Sequence, residues 1–305
     1  MNGLFDVAVV GGGLTGLTAA HHAALEGCSV VHFTGSGVPG GLVANVGELE
    51  GFPTAGPASA LDIALRLTEE NARLGVEAVP EDVATLEIGA DVKRLVAGNV
   101  VHQSRAVIAA TGARLRALDA PGAARLTDKG VSQCAWCNGS LHRGAEVVVV
   151  GGGDSALQEA LHLATFASQV TIVTRGPLLK ARRSLVDRAA ANERVAFRWE
   201  TDVLEIVGHD SVTGIRIRDQ SSGAIEQIGC TGVFVYIGLE PASRWLQGRV
   251  DLDPAGHVRT GADLATSASG VFAAGAVRSG YRGRLTHAVG EATAAAMAAA
   301  RHVSD

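Results

Sequence analysis

Cys134 and Cys137, in the run Cys-Ala-Trp-Cys, are the residues of this chain whose type and spacing point most directly to chemistry. Two thiols so placed can close a small disulfide ring, and the first can be poised as a thiolate, which suits two-electron exchange with another disulfide. Two other readings stand beside this one. Zinc would need two more ligands, and the remaining cysteines, Cys28 and Cys230, are isolated and read as small core residues. An inert buried pair is the third reading. Asn138 directly follows the pair and His142 comes soon after. His142 is either a titratable partner of the thiols or a plain loop histidine, while His21, His22 and His162 fall on helical segments as surface or packing residues.

The second kind of chemistry is phosphate binding. Gly11, Gly13 and Gly16 make a G-x-G-x-x-G turn between a strand pattern and a helix pattern. Missing side chains let a pyrophosphate approach the backbone there, and the helix N-terminus favours its negative charge. The acid usually found at the end of the following strand, for a ribose hydroxyl, is absent, since Phe33, Thr34 and Gly35 occupy that end. Gly151, Gly153 and Ala156 repeat the turn in its G-x-G-x-x-A form, so a second dinucleotide is the natural occupant and an empty inherited fold the rival reading. Beyond the next strand, Arg175, Lys180, Arg182 and Arg183 offer either a 2′-phosphate site, favouring NADPH over NADH, or a solvated basic helix start.

The elements that position these groups follow from periodicity. Each glycine turn closes a buried apolar strand and opens a helix, over residues 14–26 and 154–166, and a second strand follows at 29–33 and 169–173. These are two βαβ units, hence two dinucleotide-binding folds. Residues 76–101 read as short strands leading to a buried strand at 106–109, and 195–237 again as strands with turns. A strand at 271–274 and a helix from 286 onward supply the last strand and helix that the first fold lacks, so the second domain reads as an insertion.

Composition fits this plan. At 305 residues with 47% hydrophobic content the chain can bury two cores, and 39 glycines with 4% aromatics suit many tight strand-to-helix turns. A formal charge of -5 with scattered lysines and arginines gives no basic stripe, so neither nucleic acid nor a membrane is expected as a partner. The N-terminus enters a strand pattern at once, and no apolar run reaches the roughly 20 residues of a membrane helix. Four cysteines with one special pair fit a reducing compartment, so the expected location is the cytoplasm.

The order of motifs resembles the low-molecular-weight thioredoxin reductases, within the pyridine nucleotide-disulfide oxidoreductases. The resemblance rests on residues 11–16, the stretch from Gly40-Gly41 to Phe52-Pro53, Ala110-Thr111-Gly112, residues 130–137, the GGGDSA run at 151–156, residues 236–241 and the GVFAAG run at 270–275. It implies an α/β fold of two Rossmann-like three-layer domains, the second inserted into the first. Residues 1–114 and 242–305 would hold FAD, and the inserted residues 115–241 would hold NADPH and the cysteine pair. Thr34, Gly41, Leu42, Thr111, Gly112, Gly275 and Ala276 join Gly11, Gly13 and Gly16 at flavin positions. Gly151, Gly153, Ala156, Arg175 and Lys180 take the NADPH positions. Electrons would run from NADPH through flavin to Cys134–Cys137 and on to a thioredoxin-like protein or a small disulfide or dithiol, in a homodimer. Cys134 would attack the partner and Cys137 would face the flavin.

The departures from the family pattern are specific. Asn138 stands where the family has an acid that exchanges protons with the thiols, leaving His142 as a candidate substitute. Gly40-Gly41-Leu42 replaces Gly-Gly-Gln, Gly51 replaces a flavin-contacting Asn, Gly275-Ala276 replaces Gly-Asp, Arg282-Gly283 replaces Arg-Gln, and Arg175-Gly176 retains one of two paired arginines. Together they imply that scaffold and disulfide are kept while donor, flavin surroundings or target has changed. The alternatives are a ferredoxin-dependent reductase, an oxygen-using dithiol oxidase, or a non-catalytic redox sensor. Val38-Pro39-Gly40-Gly41, in place of the oxidases' Pro-Arg-Asn, argues against the second.

Overall fold

The computed structural model describes residues 3–46, 49, 52 and 59–305. Expectations for Glu48, Glu50, Gly51 and Pro53 lie outside the described residues. By internal contacts the chain divides into two units, Met1–Arg114 with Glu240–Asp305, and Leu115–Leu239.

In the first unit, β1 (Leu4–Val10) runs into α1 (Leu14–Leu25) and β2 (Val30–Phe33), followed by a 3-10 turn at Gly41–Asn45, α2 (Ala60–Arg73) and β3 (Glu77–Val79). A hairpin of β4 (Val83–Ile88) and β5 (Lys93–Ala97) leads to β6 (Val100–Ala109). β3, β2, β1 and β6 lie side by side in parallel, as the βαβ reading requires. The early half of β6 pairs antiparallel with β5. Its last residues take a different neighbour on that edge, β17 (Val271–Ala273), in parallel register Val271↔Val107 to Ala273↔Ala109. The returning C-terminal segment thus completes the first sheet, which is the expected insertion topology.

β1, most of β2 and the last residues of β6, Ala106 to Ala109, are apolar on both faces because helices cover one side and the β4–β5 hairpin with its neighbours the other. α6 (Leu285–Ser304) packs on α1 through Ala292, Ala295, Ala296 and Ala299 against Ala19, Ala20 and Ala23. Small residues at helical spacing let the two backbones approach closely, which explains the alanine-rich C-terminus without invoking a membrane. No helix among the described residues is long and apolar enough to cross one.

The chain enters the second unit by β7 (Ala113–Leu115). The unit then builds β8 (Val131–Ser132), α3 (Ala135–Asn138), β9 (Glu146–Val150), α4 (Asp154–Leu163), β10 (Gln169–Val173), α5 (Arg183–Ala190) and β11 (Val195–Arg198). β12 (Thr201–Gly208), β13 (Val212–Asp219) and β14 (Ile225–Gly229) make an antiparallel sheet. β15 (Gly232–Val235) returns between β9 and β8 in a parallel sheet ordered β11-β10-β9-β15-β8, and β16 (Leu239–Pro241) pairs with β7. Phe234 and the aliphatic faces of β9 and β10 are fully covered by α4 and α5, each large side chain contributing about 2–3 kcal/mol. α4 ends at Leu163, short of the expected 166, because the Thr165 and Phe166 amides turn to His162 and Leu163, three residues back, in place of the α-helical fourth.

Candidate functional site

The first site lies at the C-terminal ends of the parallel strands, where open α/β sheets bind ligands. Gly11 has φ +125, and a Cβ there would run into the Ala110 carbonyl. A Cβ on Gly12 would run into the Thr34 carbonyl, and one on Gly16 into the Gly11 carbonyl. These glycines therefore lock the turn against β2 and β6. Gly13 differs: its nearest neighbour to a Cβ would be the Gly40 oxygen, 3.8 Å away. That open side above the start of α1 is the cradle a pyrophosphate fits.

Beneath the turn, buried His32 donates from Nε2 to the Gly11 carbonyl at 2.9 Å, and burial lowers its pKa. Because a carbonyl only accepts, this bond fixes the tautomer with the proton on Nε2. The sequence reading passed over His32.

The structure brings the other expected residues of this unit to the same turn. The Gly40 amide donates to the Gly12 carbonyl at 2.9 Å, which sets Gly41 and Leu42 beside Gly13. Thr34 is tied to Val79 at the end of β2. Thr111 donates from Oγ1 to the Ala242 carbonyl at 2.7 Å, and the Gly112 carbonyl accepts from the Ala242 amide. Gly275, at φ +75, packs against Thr15 in the first turn of α1, with Ala276 next to it.

A buried carboxylate missed by the sequence reading anchors that last corner. Glu291 Oε2 accepts from the Gly275 amide at 2.8 Å. Its Oε1 is paired with Arg278 at 2.6 Å and with His287 Nε2 at 3.0 Å. Tyr281 lies parallel to His287, and its pKa is raised by burial and then by the Glu291 charge.

In the second unit, Gly151 has φ +144 and lies against the Tyr236 carbonyl, so only glycine fits there. Gly153 has open space where a Cβ would go, and Ala156 is fully buried beneath the turn. The Lys180 amide donates to the Gly152 carbonyl at 2.8 Å, which lays the 174–182 loop beside the turn. Arg182 is paired with Asp154 at 2.9 Å and Arg183 with Asp187 at 2.9 Å. Two of the four expected cations are thereby held by local acids, while Arg175 and Lys180 are exposed at the loop's ends.

Cys134 and Cys137 are joined as a disulfide at the start of α3, so the sulfurs serve each other and the zinc reading lapses. Cys134 caps the helix, its Sγ accepting from the Cys137 amide at 3.1 Å. Its own amide donates to Ser132 Oγ at 3.1 Å, and Ser132 donates onward to Asn138 Oδ1 at 2.8 Å. Trp136, between the cysteines, stacks on His162 with ring centres 3.6 Å apart. Cys28 is half-buried and Cys230 buried, the latter's thiol pushed up to about 12 mainly by burial.

His142, the expected substitute for the family's aspartate, has its ring engaged elsewhere. It is buried, its Nδ1 is bonded to Thr231 Oγ1 at 2.8 Å, and its ring edge packs on Phe234. Burial lowers its pKa, and it serves to pin the turn after α3 to the start of β15. The carboxyl that does reach the pair's helix is Glu159 of α4. Its Oε2 accepts from the Ala135 amide at 3.1 Å and from Tyr236 Oη at 3.2 Å, while Tyr236 Oη also meets the Ala135 amide at 3.0 Å. Burial pushes Glu159 up to about 7 against the opposing pull of those two hydrogen bonds.

Comparisons with known proteins identify the family. The pyridine nucleotide-disulphide oxidoreductase family matches residues 5–299. A thioredoxin reductase of Mycolicibacterium smegmatis is 39% identical over 98% of this chain and 97% of its own length. A bifunctional thioredoxin reductase/thioredoxin of Mycobacterium leprae is 38% identical over 99% of this chain and 66% of its own length. The solved thioredoxin reductase of Lactococcus lactis superposes with a TM-score of 0.95 at 32% identity, covering 98% of this chain and 99% of that one. With two nucleotide-type turns, a disulfide at the head of α3 and a match spanning nearly its whole length, this chain belongs to the pyridine nucleotide-disulphide oxidoreductase family.

Proposed function

We propose that the chain is an FAD-dependent, thioredoxin reductase-like disulfide oxidoreductase that draws electrons from NADPH and delivers them through Cys134–Cys137 to a thioredoxin-like protein. The observation that carries this reading is the Cys134–Cys137 disulfide, set at the start of a helix within a unit built on a G-x-G-x-x-A turn. Bound FAD supplies two-electron transfer between a pyridine nucleotide and a disulfide, which no side chain performs well. Gly13, with Gly41, Thr111 and the Gly275–Ala276 corner, would hold it, and the open side of Gly13 supports that placement. Gly153 and the start of α4 would hold the pyridine nucleotide, with Arg175 and Lys180 as the cations for its 2′-phosphate. Cys134 would attack the partner's disulfide, its thiolate favoured by the Cys137 amide already aimed at its sulfur.

The Mycobacterium leprae relative, named as both reductase and thioredoxin, supports a thioredoxin-like protein as acceptor. We extend the reading to a homodimer, as the family resemblance implies, and to the cytoplasm, on the cysteine usage. A second reading, with a donor other than NADPH, is favoured by the single arginine of Arg175-Gly176 and by Ala276.

One titration separates the two. Purified protein is followed by visible absorbance under anaerobic NADPH, then mixed with oxidised thioredoxin. Stoichiometric bleaching of a yellow flavin, and its recovery on adding thioredoxin, is the expected result. A flavin that bleaches with dithiothreitol or reduced ferredoxin but not with NADPH supports the second reading, and a colourless protein that FAD cannot reconstitute overturns both.

A further inference from the structure

The pair of thiols produced by reduction needs a titrating neighbour, and Asn138, bonded through its Oδ1 to Ser132, cannot titrate. We propose that Glu159 fills this place as a positioning residue, taking up a proton when Cys134–Cys137 is reduced, so that the new thiolate forms beside a neutral carboxyl. The inference deepens the function proposed above and rests on it for the pair's redox role.

Geometry carries the argument. The Ala135 amide to which Glu159 is bonded belongs to the peptide that Cys134 itself forms, inside the ring closed by the disulfide. The carboxyl and Tyr236 converge on that one amide, so a charge on Glu159 is felt directly at the head of α3. Glu159 is only 7% exposed, on a helix face otherwise made of Ala156, Leu157, Ala160 and Leu163. A carboxylate bonded to the amide that follows Cys134 and a thiolate on Cys134 would be two like charges on one peptide, and each would raise the other's pKa by about one to two pH units.

The balance is simple. An oxidised pair and an ionised Glu159, given two electrons from a dithiol or phosphine and two protons, become one thiolate, one thiol and a neutral carboxyl. The raised pKa of Glu159 puts this exchange near neutral pH.

The other groups around Glu159 do not offer the same service. From the turn after α3 comes His142, tied to Thr231, and from α4 itself come His162, stacked on Trp136, and Asp154, paired with Arg182. α5, packed on α4, carries Arg183 paired with Asp187, and Arg188. β9 carries exposed Glu146 and β10 no charged residue, and the end of β15 brings Tyr236, whose pKa is raised by burial and by Glu159.

The test uses the full-length protein, reduced with a phosphine and alkylated with iodoacetamide at pH values from 5 to 9. Wild type should show two coupled inflections, because thiol and carboxyl titrate together. Glu159→Gln keeps an acceptor for the Ala135 amide and should collapse the profile to one step, about one to two pH units below the upper step of the wild type. Tyr236→Phe removes a donor to the carboxylate and should move the lower step upward, which guards against a Gln variant that fails to fold. A Glu159→Gln profile superimposable on the wild type, or a wild-type profile with one inflection that Tyr236→Phe leaves in place, overturns the proposal. These profiles require only a reduced chain, so failure of the flavin titration with thioredoxin would be seen separately.

Discussion

Alanine at Gly13 and alanine at Gly16 should separate ligand binding from folding in the first unit. Gly16 lies inside α1, where alanine returns up to about 1 kcal/mol of helix propensity. Against that, its Cβ would fall on the Gly11 carbonyl, a backbone atom that cannot swing away, with His32 Nε2 next at 3.2 Å. Overpacking of this kind costs about 3 kcal/mol, and displacing Gly11 also strains the His32 bond, worth about 1 kcal/mol. A net loss of about 2–3 kcal/mol follows, or about 4–12 °C in melting temperature for a unit of this size. Gly13 sits at φ -73 and ψ 170, ordinary extended backbone for alanine, and a Cβ there would meet only the Gly40 oxygen, in ordinary contact at 3.8 Å, among the described residues. The unfolded-state gain of about 0.4–1 kcal/mol is offset by a poorer N-cap at about 0.5–1 kcal/mol, so the flavin-free protein should melt within about 2 °C of wild type. The added methyl instead occupies the space a pyrophosphate needs, and FAD affinity should fall at least about ten-fold. Calorimetry of the flavin-free variants and fluorescence titration with FAD give the two readouts. A Gly13→Ala protein that binds FAD as wild type does, or that melts as low as Gly16→Ala, would refute the assignment.

Glu291→Ala should cost about 3–5 kcal/mol in urea denaturation, since it strands Arg278 in a buried site and frees the Gly275 amide; a loss below about 1 kcal/mol would mean that water replaces the carboxylate without penalty. Arg175→Ala and Lys180→Ala should each weaken NADPH binding by about ten-fold and leave NADH binding unchanged, measured by calorimetric titration. The raised pKa of Glu159 also makes a stability prediction, because between 4.5 and about 7 its carboxyl is protonated when folded and ionised when unfolded. Folding then takes up a proton, so the second unit should lose about 2–3 kcal/mol as pH rises through that window and no more above it. Urea midpoints against pH should show this slope in wild type and lose it in Glu159→Gln.

The glycine turns were legible in the sequence because their demands are local: a few residues fix which side chains must vanish, and a strand and a helix flank them. The helix at 14–26 was found as Leu14–Leu25 for the same reason. β6 was underread, since its first half carries His102, Gln103 and Arg105 and shows no buried run, yet it is held on both edges by β5 and β1. The carboxylates were harder still. Glu159 and Glu291 each interrupt an apolar helix stripe, among Ala156, Ala160 and Leu163 and among Ala288, Ala292 and Ala295, which is a usable signal of a buried charge. Their partners, however, are the amides of Ala135 and Gly275, and a backbone N–H leaves no mark on the sequence. The surroundings of His142 were hidden on the same ground, because only the fold reveals that Thr231 and Phe234 claim its ring.

In each unit, then, an acid that the family resemblance implies is absent, at Asn138 and at Ala276, while a carboxylate is bonded to the backbone of a neighbouring residue, Ala135 or Gly275. A buried acid behind a peptide cannot hand a proton across the surface as an exposed one does, but its charge state alters the electrostatic field at that peptide. Glu291 is paired with Arg278 and His287 and bonded to the Gly275 amide. Among the described residues the donors to Glu159 are the neutral Ala135 amide and Tyr236 hydroxyl, and burial pushes its pKa up to about 7, so its charge is free to follow the redox state of the pair. The physical difference between the two sites lies in that contrast, and it is why pH should move the chemistry of the cysteines through Glu159.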